Sequence, residues 1–366
     1  MNNYKLLTPG PLTTSETVKE AMMFDHCTWD NDYKKITQEI RSELLKLANA
    51  SKEKYTTVLM QGSGTFGVES VISSVVKPED KLLIIANGAY GYRMEEIAKY
   101  HKINYMIYKV PYNEIPSDSK VDEILANNPE VTHVSMVHSE TTSGILNDIE
   151  AIAKVVKRYN KVFIVDAMSS FGGVAINVEK LKIDFLISSS NKCIQGVPGF
   201  SFIIANREEL IKSKGNARSL ALDLYAQWQV MEVDGKWRFT SPTHTVIAFR
   251  QALRELEAEG GIPERAKRYK ENNELLISKM NELGIKTYIN SKNQGPIITT
   301  FYYPDKCDFN FNKMYEFIKE RGYAIYPGKV TDADTFRIGN IGEIYKDDIT
   351  KLCDIFKNFL ELETNN

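Results

Sequence analysis

The chain has 366 residues, 43% apolar and 26% charged, the composition of an ordinary soluble globular protein long enough to bury one large core and a smaller one. Its 46 Lys and Arg against 48 Asp and Glu leave a formal net charge of -2, which argues against a nucleic-acid partner. No apolar run approaches the roughly 20 residues a bilayer demands, no secretory-type leader is evident, and Cys27, Cys193, Cys307 and Cys353 are scattered without metal-ligand spacing, so the expectation is a cytoplasmic protein with free thiols and no metal.

Thr8-Pro9-Gly10-Pro11 reads as a stiff, extended arm. Helical patterns near 16–24 and 33–49 flank Asp25-His26-Cys27-Thr28-Trp29-Asp30, which reads as a substrate-side loop or a packed Ω-loop. From Tyr55, strands near 55–60, 82–86, 103–108, 132–137, 162–165, 184–187 and 201–205 alternate with helices near 65–76, 90–101, 120–127 and 147–158. That alternation predicts a mostly parallel sheet with helices on both faces. After Asn206 the pattern turns helical through 207–213, 217–230, 244–258 and 263–283. A second α/β region follows, with strands at 297–303 and 335–338 and helices at 311–320 and 346–361. Gly260-Gly261-Ile262-Pro263 is the clearest break, which divides a large domain, 16–260, from a smaller one made of 261–366 with the arm 1–15.

Ligands of open α/β sheets bind beyond the carboxyl ends of the strands, and here those ends carry chemistry. Gln61-Gly62-Ser63-Gly64-Thr65-Phe66-Gly67 closes the first strand and opens a helix, where backbone N–H groups and two hydroxyls make an anion site. The same glycines match a dinucleotide fingerprint, but that reading wants an acid at the end of the next strand, where the sequence has Asn87-Gly88. Tyr90 offers a flat ring beyond the second strand, and His138-Ser139-Glu140-Thr141-Thr142 ends the fourth in polar residues. Asp166 closes the strand Val162-Phe163-Ile164-Val165; a helix cap is its plainer use. Lys192 follows Asp184-Phe185-Leu186-Ile187, between serines and the turn Gly196-Val197-Pro198-Gly199. Desolvation there would lower its pKa and leave a nucleophilic amine, whereas the plainer reading is a solvated loop lysine. Cys193 beside it has no obvious histidine base and reads as a packing residue. A phosphate cradle, an aromatic ring, an acid and a lysine together suit pyridoxal phosphate: the lysine holds the aldehyde and the acid keeps the ring nitrogen protonated.

On these residues the chain resembles the fold-type I pyridoxal-phosphate enzymes of the class V aminotransferase family, over nearly its whole length. Leu7-Thr8-Pro9-Gly10-Pro11-Leu12-Thr13-Thr14, Cys27-Thr28-Trp29-Asp30, Asn191-Lys192-Cys193-Ile194-Gln195-Gly196-Val197-Pro198-Gly199 and Arg238-Phe239-Thr240-Ser241-Pro242-Thr243-His244 are similar to the members that use 2-aminoethylphosphonate and pyruvate. The resemblance implies an α/β, fold-type I PLP-dependent transferase with a large mostly parallel sheet domain and a smaller α/β domain. It makes Lys192 the Schiff-base lysine and proton shuttle, Asp166 the partner of the pyridinium, and Tyr90 the stacking ring. Ser63, Gly64 and Thr65 would bind the cofactor phosphate, Thr141 or Thr142 the cofactor ring, and Arg337 the anionic end of the substrate. Thr240 would reach the phosphate from a neighbouring subunit, which implies a homodimer. A transaminase for another small donor, such as alanine–glyoxylate, is the nearest alternative; a desulfurase-type lyase or a nucleotide-binding module stands further off.

Overall fold

Runs such as Leu82–Ala86, apolar at every position, suit strands covered on both faces. The computed structural model, which describes residues 4–305 and 309–365 and so leaves Cys307 outside, gathers them into one seven-stranded sheet. Its strands are β1 (Tyr55–Gln61), β2 (Leu82–Ala86), β3 (Tyr105–Lys109), β4 (His133–Val137), β5 (Val162–Asp166), β6 (Phe185–Ser189) and β7 (Phe200–Asn206). Their spatial order is β1-β7-β6-β5-β4-β2-β3. Only β7 runs against its neighbours, β1 and β6; the other pairings are parallel. β1 therefore points the same way as β2 through β6, and all six carboxyl ends open on one edge.

Helices cover both faces. Asn31–Leu47, Ile149–Arg158 and Thr243–Glu259 pack one side, around Phe163, Phe202 and Phe249, while Gly64–Val75 and Ala89–Tyr100 pack the other, around Ile84, Ile187 and Ile203. Beyond the sheet, Thr335–Gly339 lies between Ile298–Tyr302 and Tyr326–Pro327 in a small antiparallel sheet. Its core of Phe301, Phe336 and Phe356 also takes in Leu7 of the arm. The arm is stitched on by a parallel pairing of Lys5–Leu6 with Tyr323–Ala324. Gly260 and Gly261, with φ of +107° and +76°, turn the helix Thr243–Glu259 into Gly261–Glu282 without a linker, through a left-handed conformation that favours glycine. Among the described residues no helix is long and apolar enough to cross a membrane.

Two helices are shorter than their patterns predict. The stretch expected at 217–230 becomes helical only from Leu224, because Asp223 caps that helix by accepting the Ala226 N–H. Arg218 before it instead donates to the carbonyls of Ser73 and Val76. The helix expected over 16–24 stops at Glu20, with Val18 its one buried residue, so little burial favours a further turn.

Phe249 carries much of the first core face: it is fully buried, with its ring 5.1 Å from that of Phe200 and 5.9 Å from that of Phe202. Phe249→Ala should lower unfolding stability by about 3–5 kcal/mol, read as a shift of the urea midpoint; a shift under about 1 kcal/mol would mean that the site collapses to fill the space.

Candidate active site

The edge where the strands end holds a cavity of about 210 Å³, lined by Ser63, Gly64, Thr65, Tyr90, Asp166 and Lys192, with Arg93 and Met168 among the rest. Six residues singled out from sequence thus share one hollow. Adjacent parallel strands explain part of this, since Val137 pairs with Asp166 and Asp166 with Ile187, so β5 delivers its carboxylate beside the strand that leads to Lys192.

Lys192 sits in a turn whose form is over-determined. Ser190 accepts the Gly196 N–H through its carbonyl at 2.9 Å and donates its hydroxyl to the Val197 carbonyl at 2.6 Å. Arg265 and Tyr269, from the helix Gly261–Glu282, donate to the Cys193 carbonyl at 2.7 and 3.2 Å. The amine then donates to the Pro9 carbonyl of the N-terminal arm at 2.9 Å. Gly10 permits that approach: at its φ of +127° a Cβ would lie 2.7 Å from Lys192 Nζ. Burial lowers the Lys192 pKa, with Tyr90 and Asp166 opposing the shift.

Asp166 is 4% exposed, and its carboxylate accepts from the Met168 N–H at 2.8 Å. Burial lifts its pKa to about 7, against that hydrogen bond; Glu140 adds to the rise, and Lys192 and Arg93 oppose it. Lys192 and Asp166 sense each other's charge, yet they form no ion pair. An unpaired buried amine and carboxyl on the walls of one cavity are costly unless something between them satisfies both.

On the same lining, Ser63 precedes the helix Gly64–Val75 without a side-chain cap. Among the described residues no acceptor takes the N–H of Gly64 or Thr65, which leaves two donors at the positive end of a helix facing the hollow. Pyridoxal phosphate fits this set, with an anion site, a carboxyl able to hold a ring N–H and an amine all lining one cavity. The dinucleotide reading fares worse, because Asn87 after β2 forms a reciprocal amide pair with Asn147. Among the described residues no cluster of His, Cys, Asp and Glu is arranged for a metal.

The two threonines left open by sequence divide. The Thr142 hydroxyl is committed, donating to Glu140 at 2.6 Å and accepting the Ala89 N–H at 2.9 Å, while the Thr141 hydroxyl lies beside the Tyr90 phenol. Arg337 is not the surface residue that its sequence context allows. It is 6% exposed in the small sheet, donates to the carbonyls of Pro327 and Thr141 at 2.9 Å each, and has no carboxylate partner among the described residues. Thr240 is exposed and lies outside the lining. Cys193 is buried with its thiol pushed up to about 12 by desolvation, which fits packing and not nucleophilic chemistry. The loop Asp25–Asp30 is open to solvent, with Trp29 69% exposed, so it is not a packed Ω-loop.

Arg93 and Met168 are lining residues that were assigned no role from sequence. Arg93, one helical turn after Tyr90, lies 4.9 Å from its ring and donates to the Thr65 hydroxyl at 3.2 Å; the i, i+3 spacing was a usable signal. Met168, two residues past Asp166, fills the space in which a Gly64 side chain would sit. A larger surface cleft of about 880 Å³ lies elsewhere, and its Glu259, Arg265 and Arg268 are paired among themselves.

Fold and site together define a fold-type I, pyridoxal-phosphate-dependent transferase. The crystal structure of ureidoglycine–glyoxylate aminotransferase from Bacillus subtilis superposes with a TM-score of 0.90 at 22% identity, covering 99% of this chain and 94% of that one, which supports the fold alone. The model of the aminotransferase class-V family matches residues 24–333, and the chain belongs to that family. It is 56% identical to the 2-aminoethylphosphonate–pyruvate transaminase of Lysinibacillus sphaericus, covering 100% of both chains. It is 55% identical to the protein of the same name from Phocaeicola vulgatus, over 98% of this chain and 99% of that one.

The Asp166 shift has a measurable consequence. The folded protein keeps the Asp166 proton up to about pH 7, whereas the unfolded chain releases it near 3.8. Cofactor-free protein should therefore lose stability as pH rises between those values, by at most roughly 1.4 kcal/mol per pH unit from this group. Urea titrations across that window should give a flatter profile for Asp166→Asn; parallel profiles would assign the burial cost to another group.

Proposed function

We propose that the chain is a cytoplasmic, homodimeric transaminase that moves the amino group of 2-aminoethylphosphonate to pyruvate, giving phosphonoacetaldehyde and L-alanine. The observation that carries this reading is Arg337, a buried guanidinium on the small sheet that donates to carbonyls and, among the described residues, forms no ion pair with a carboxylate, while the nearby hollow holds a buried amine. The names of the relatives at 55–56% identity support the choice of substrates.

Bound pyridoxal phosphate would supply an aldehyde for amines and a protonated ring that takes up the electron pair freed when a proton leaves the substrate carbon. Ser63, Gly64 and Thr65 would bind its phosphate, Asp166 would hold the proton on its ring nitrogen, and Tyr90 and Thr141 would contact its ring. An Asp166 carboxyl raised by burial would regain its charge beside a cationic ring nitrogen. Lys192 would hold the cofactor and, when not bound to it, would be free as a base. Burial keeps that amine from holding a proton too tightly, so Nζ can take one from the carbon bearing nitrogen and give it back one position away. Arg337 binds the substrate's anionic end, phosphonate in one half-reaction and carboxylate in the other, because a planar fork donates parallel hydrogen bonds to either. Thr240 completes the phosphate site of the other subunit, a role supported by its exposure and its place outside the lining of its own hollow.

An amino-donor panel, following conversion to the pyridoxamine form, tests the substrate. Faster conversion by alanine with glyoxylate as acceptor than by 2-aminoethylphosphonate with pyruvate would favour the alternative. Lys192→Ala should fold and lose turnover; a folded, fully active variant would remove Lys192 from the chemistry. Arg337→Lys should keep the cofactor but weaken both half-reactions, by roughly 2–4 kcal/mol if the contact is buried and bidentate. Wild-type efficiency in single turnovers would move the anion site elsewhere.

Assembly has its own test. Mixing Lys192→Ala subunits with subunits altered at Thr240 should restore activity, since one of the two hybrid sites then has both native groups. No recovery in verified mixed dimers would mean that Thr240 serves its own subunit.

A further inference from the structure

Lys329, which no motif singled out, stands over the Tyr90 ring with Nζ 4.1 Å from the centroid. It follows the turn Tyr326-Pro327-Gly328, whose Pro327 carbonyl accepts from Arg337 Nε. One short hairpin thus carries Lys329 and braces Arg337. Gly328 sits where that hairpin is tightest: a Cβ there would lie 2.3 Å from the Thr335 carbonyl oxygen, so the chain can enter the Lys329 loop this closely only without a side chain.

Lys329 has no carboxylate partner among the described residues. Of the two acids that follow it in its loop, Asp332 accepts from the Tyr288 hydroxyl at 2.7 Å, and neither Asp332 nor Asp334 forms an ion pair with Lys329. Glu140, the buried acid near Tyr90, is occupied by the N–H groups of Tyr90, Gly91 and Thr142 and by the Thr142 hydroxyl. Tyr90 records the outcome. Burial alone would raise its phenol, yet Lys192 and Lys329 bring it below its ordinary value. Lys329 over the Tyr90 ring and Arg337, held to the carbonyl of the Thr141 whose hydroxyl lies beside the Tyr90 phenol, are therefore two cations without a carboxylate partner among the described residues, both near a ring that lines the hollow. A single carboxylate neutralises one cation, whereas a phosphonate near neutral pH approaches two negative charges and offers three oxygens.

We propose that Lys329 is a specificity residue that recognises the second charge of the donor's phosphonate, while the carboxylate of the keto acid is held by Arg337. This rests on the substrate assignment above. A lysine suits the role, being a compact, mobile point charge that can approach a third oxygen after Arg337 has taken two.

The test uses the full-length holoenzyme and its Lys329→Met and Lys329→Arg variants. Titration calorimetry with ethylphosphonate and with propionate, neither of which carries an amine, reads anion binding apart from turnover. Single-turnover conversion by 2-aminoethylphosphonate and by L-alanine then reads the same preference in the reaction. Lys329→Met should lower the ratio of phosphonate to carboxylate affinity, and of donor to alanine efficiency, by about tenfold or more, and Lys329→Arg should restore most of both ratios. Equal losses for the two anions would make Lys329 a general anion site, and unchanged ratios would place the phosphonate elsewhere; either result overturns the inference. If wild-type holoenzyme fails to convert 2-aminoethylphosphonate, the substrate assignment falls; conversion by wild type with unmoved ratios in Lys329→Met overturns the role of Lys329 alone.

Discussion

The arrangement depends on one electrostatic constraint: the buried Lys192 and Asp166 line one hollow without pairing. Bringing an amine and a carboxyl into one low-dielectric space favours either neutral groups or a direct ion pair. Here the Pro9 carbonyl holds the amine on one side and the Met168 N–H holds the carboxylate on the other. Each of those restraints needs a distant piece of chain. Pro9 reaches Lys192 because the arm is paired to Tyr323–Ala324, and the lysine turn is gripped at the Cys193 carbonyl by Arg265 and Tyr269. The Tyr269 hydroxyl also accepts from Gln195 at 2.7 Å, and its carbonyl accepts from Asn340, three residues past Arg337. The lysine turn and the strand that carries Arg337 are thus fastened to the same tyrosine.

How much of this was legible follows from where each residue sits. Lys192, Asp166, Tyr90 and Ser63–Thr65 stand just past strands, and in a parallel sheet the strand end is both readable and the place where ligands bind. Asp166 and the Lys192 strand were bound to meet once β5 and β6 were neighbours. Lys329 and Pro9 could not be found that way, since they reach the site from the small sheet and from the arm, and no local period encodes how those pieces dock. Arg337 fell between the two cases: its strand was readable, but its surroundings were not, because a buried guanidinium held by carbonyls has the same local sequence as a surface one. The stretch from 217 to 223 was misread for a related reason. Its residues are compatible with a helix, and tertiary hydrogen bonds of Arg218 to Ser73 and Val76 decide otherwise.

A site that must admit a phosphonate and a carboxylate in turn cannot keep a permanent counter-ion. A fixed carboxylate beside Arg337 would orient it well but would cancel its charge, and any anion binding there would then have to break an ion pair. Carbonyl oxygens avoid this. Those of Pro327 and Thr141 fix the plane of the guanidinium with partial charges and leave its net charge intact. Glu140, the acid near enough to interfere, is turned into the N-terminus of the helix Ala89–Tyr100, and burial raises its pKa. The same economy holds at the start of the helix Gly64–Val75, where the N–H groups of Gly64 and Thr65 offer dipoles to an anion, with Arg93 braced against the Thr65 hydroxyl as the nearby full charge. Positive potential is thus held in place chiefly by neutral groups, which is the condition for binding successive anions in one pocket and releasing each.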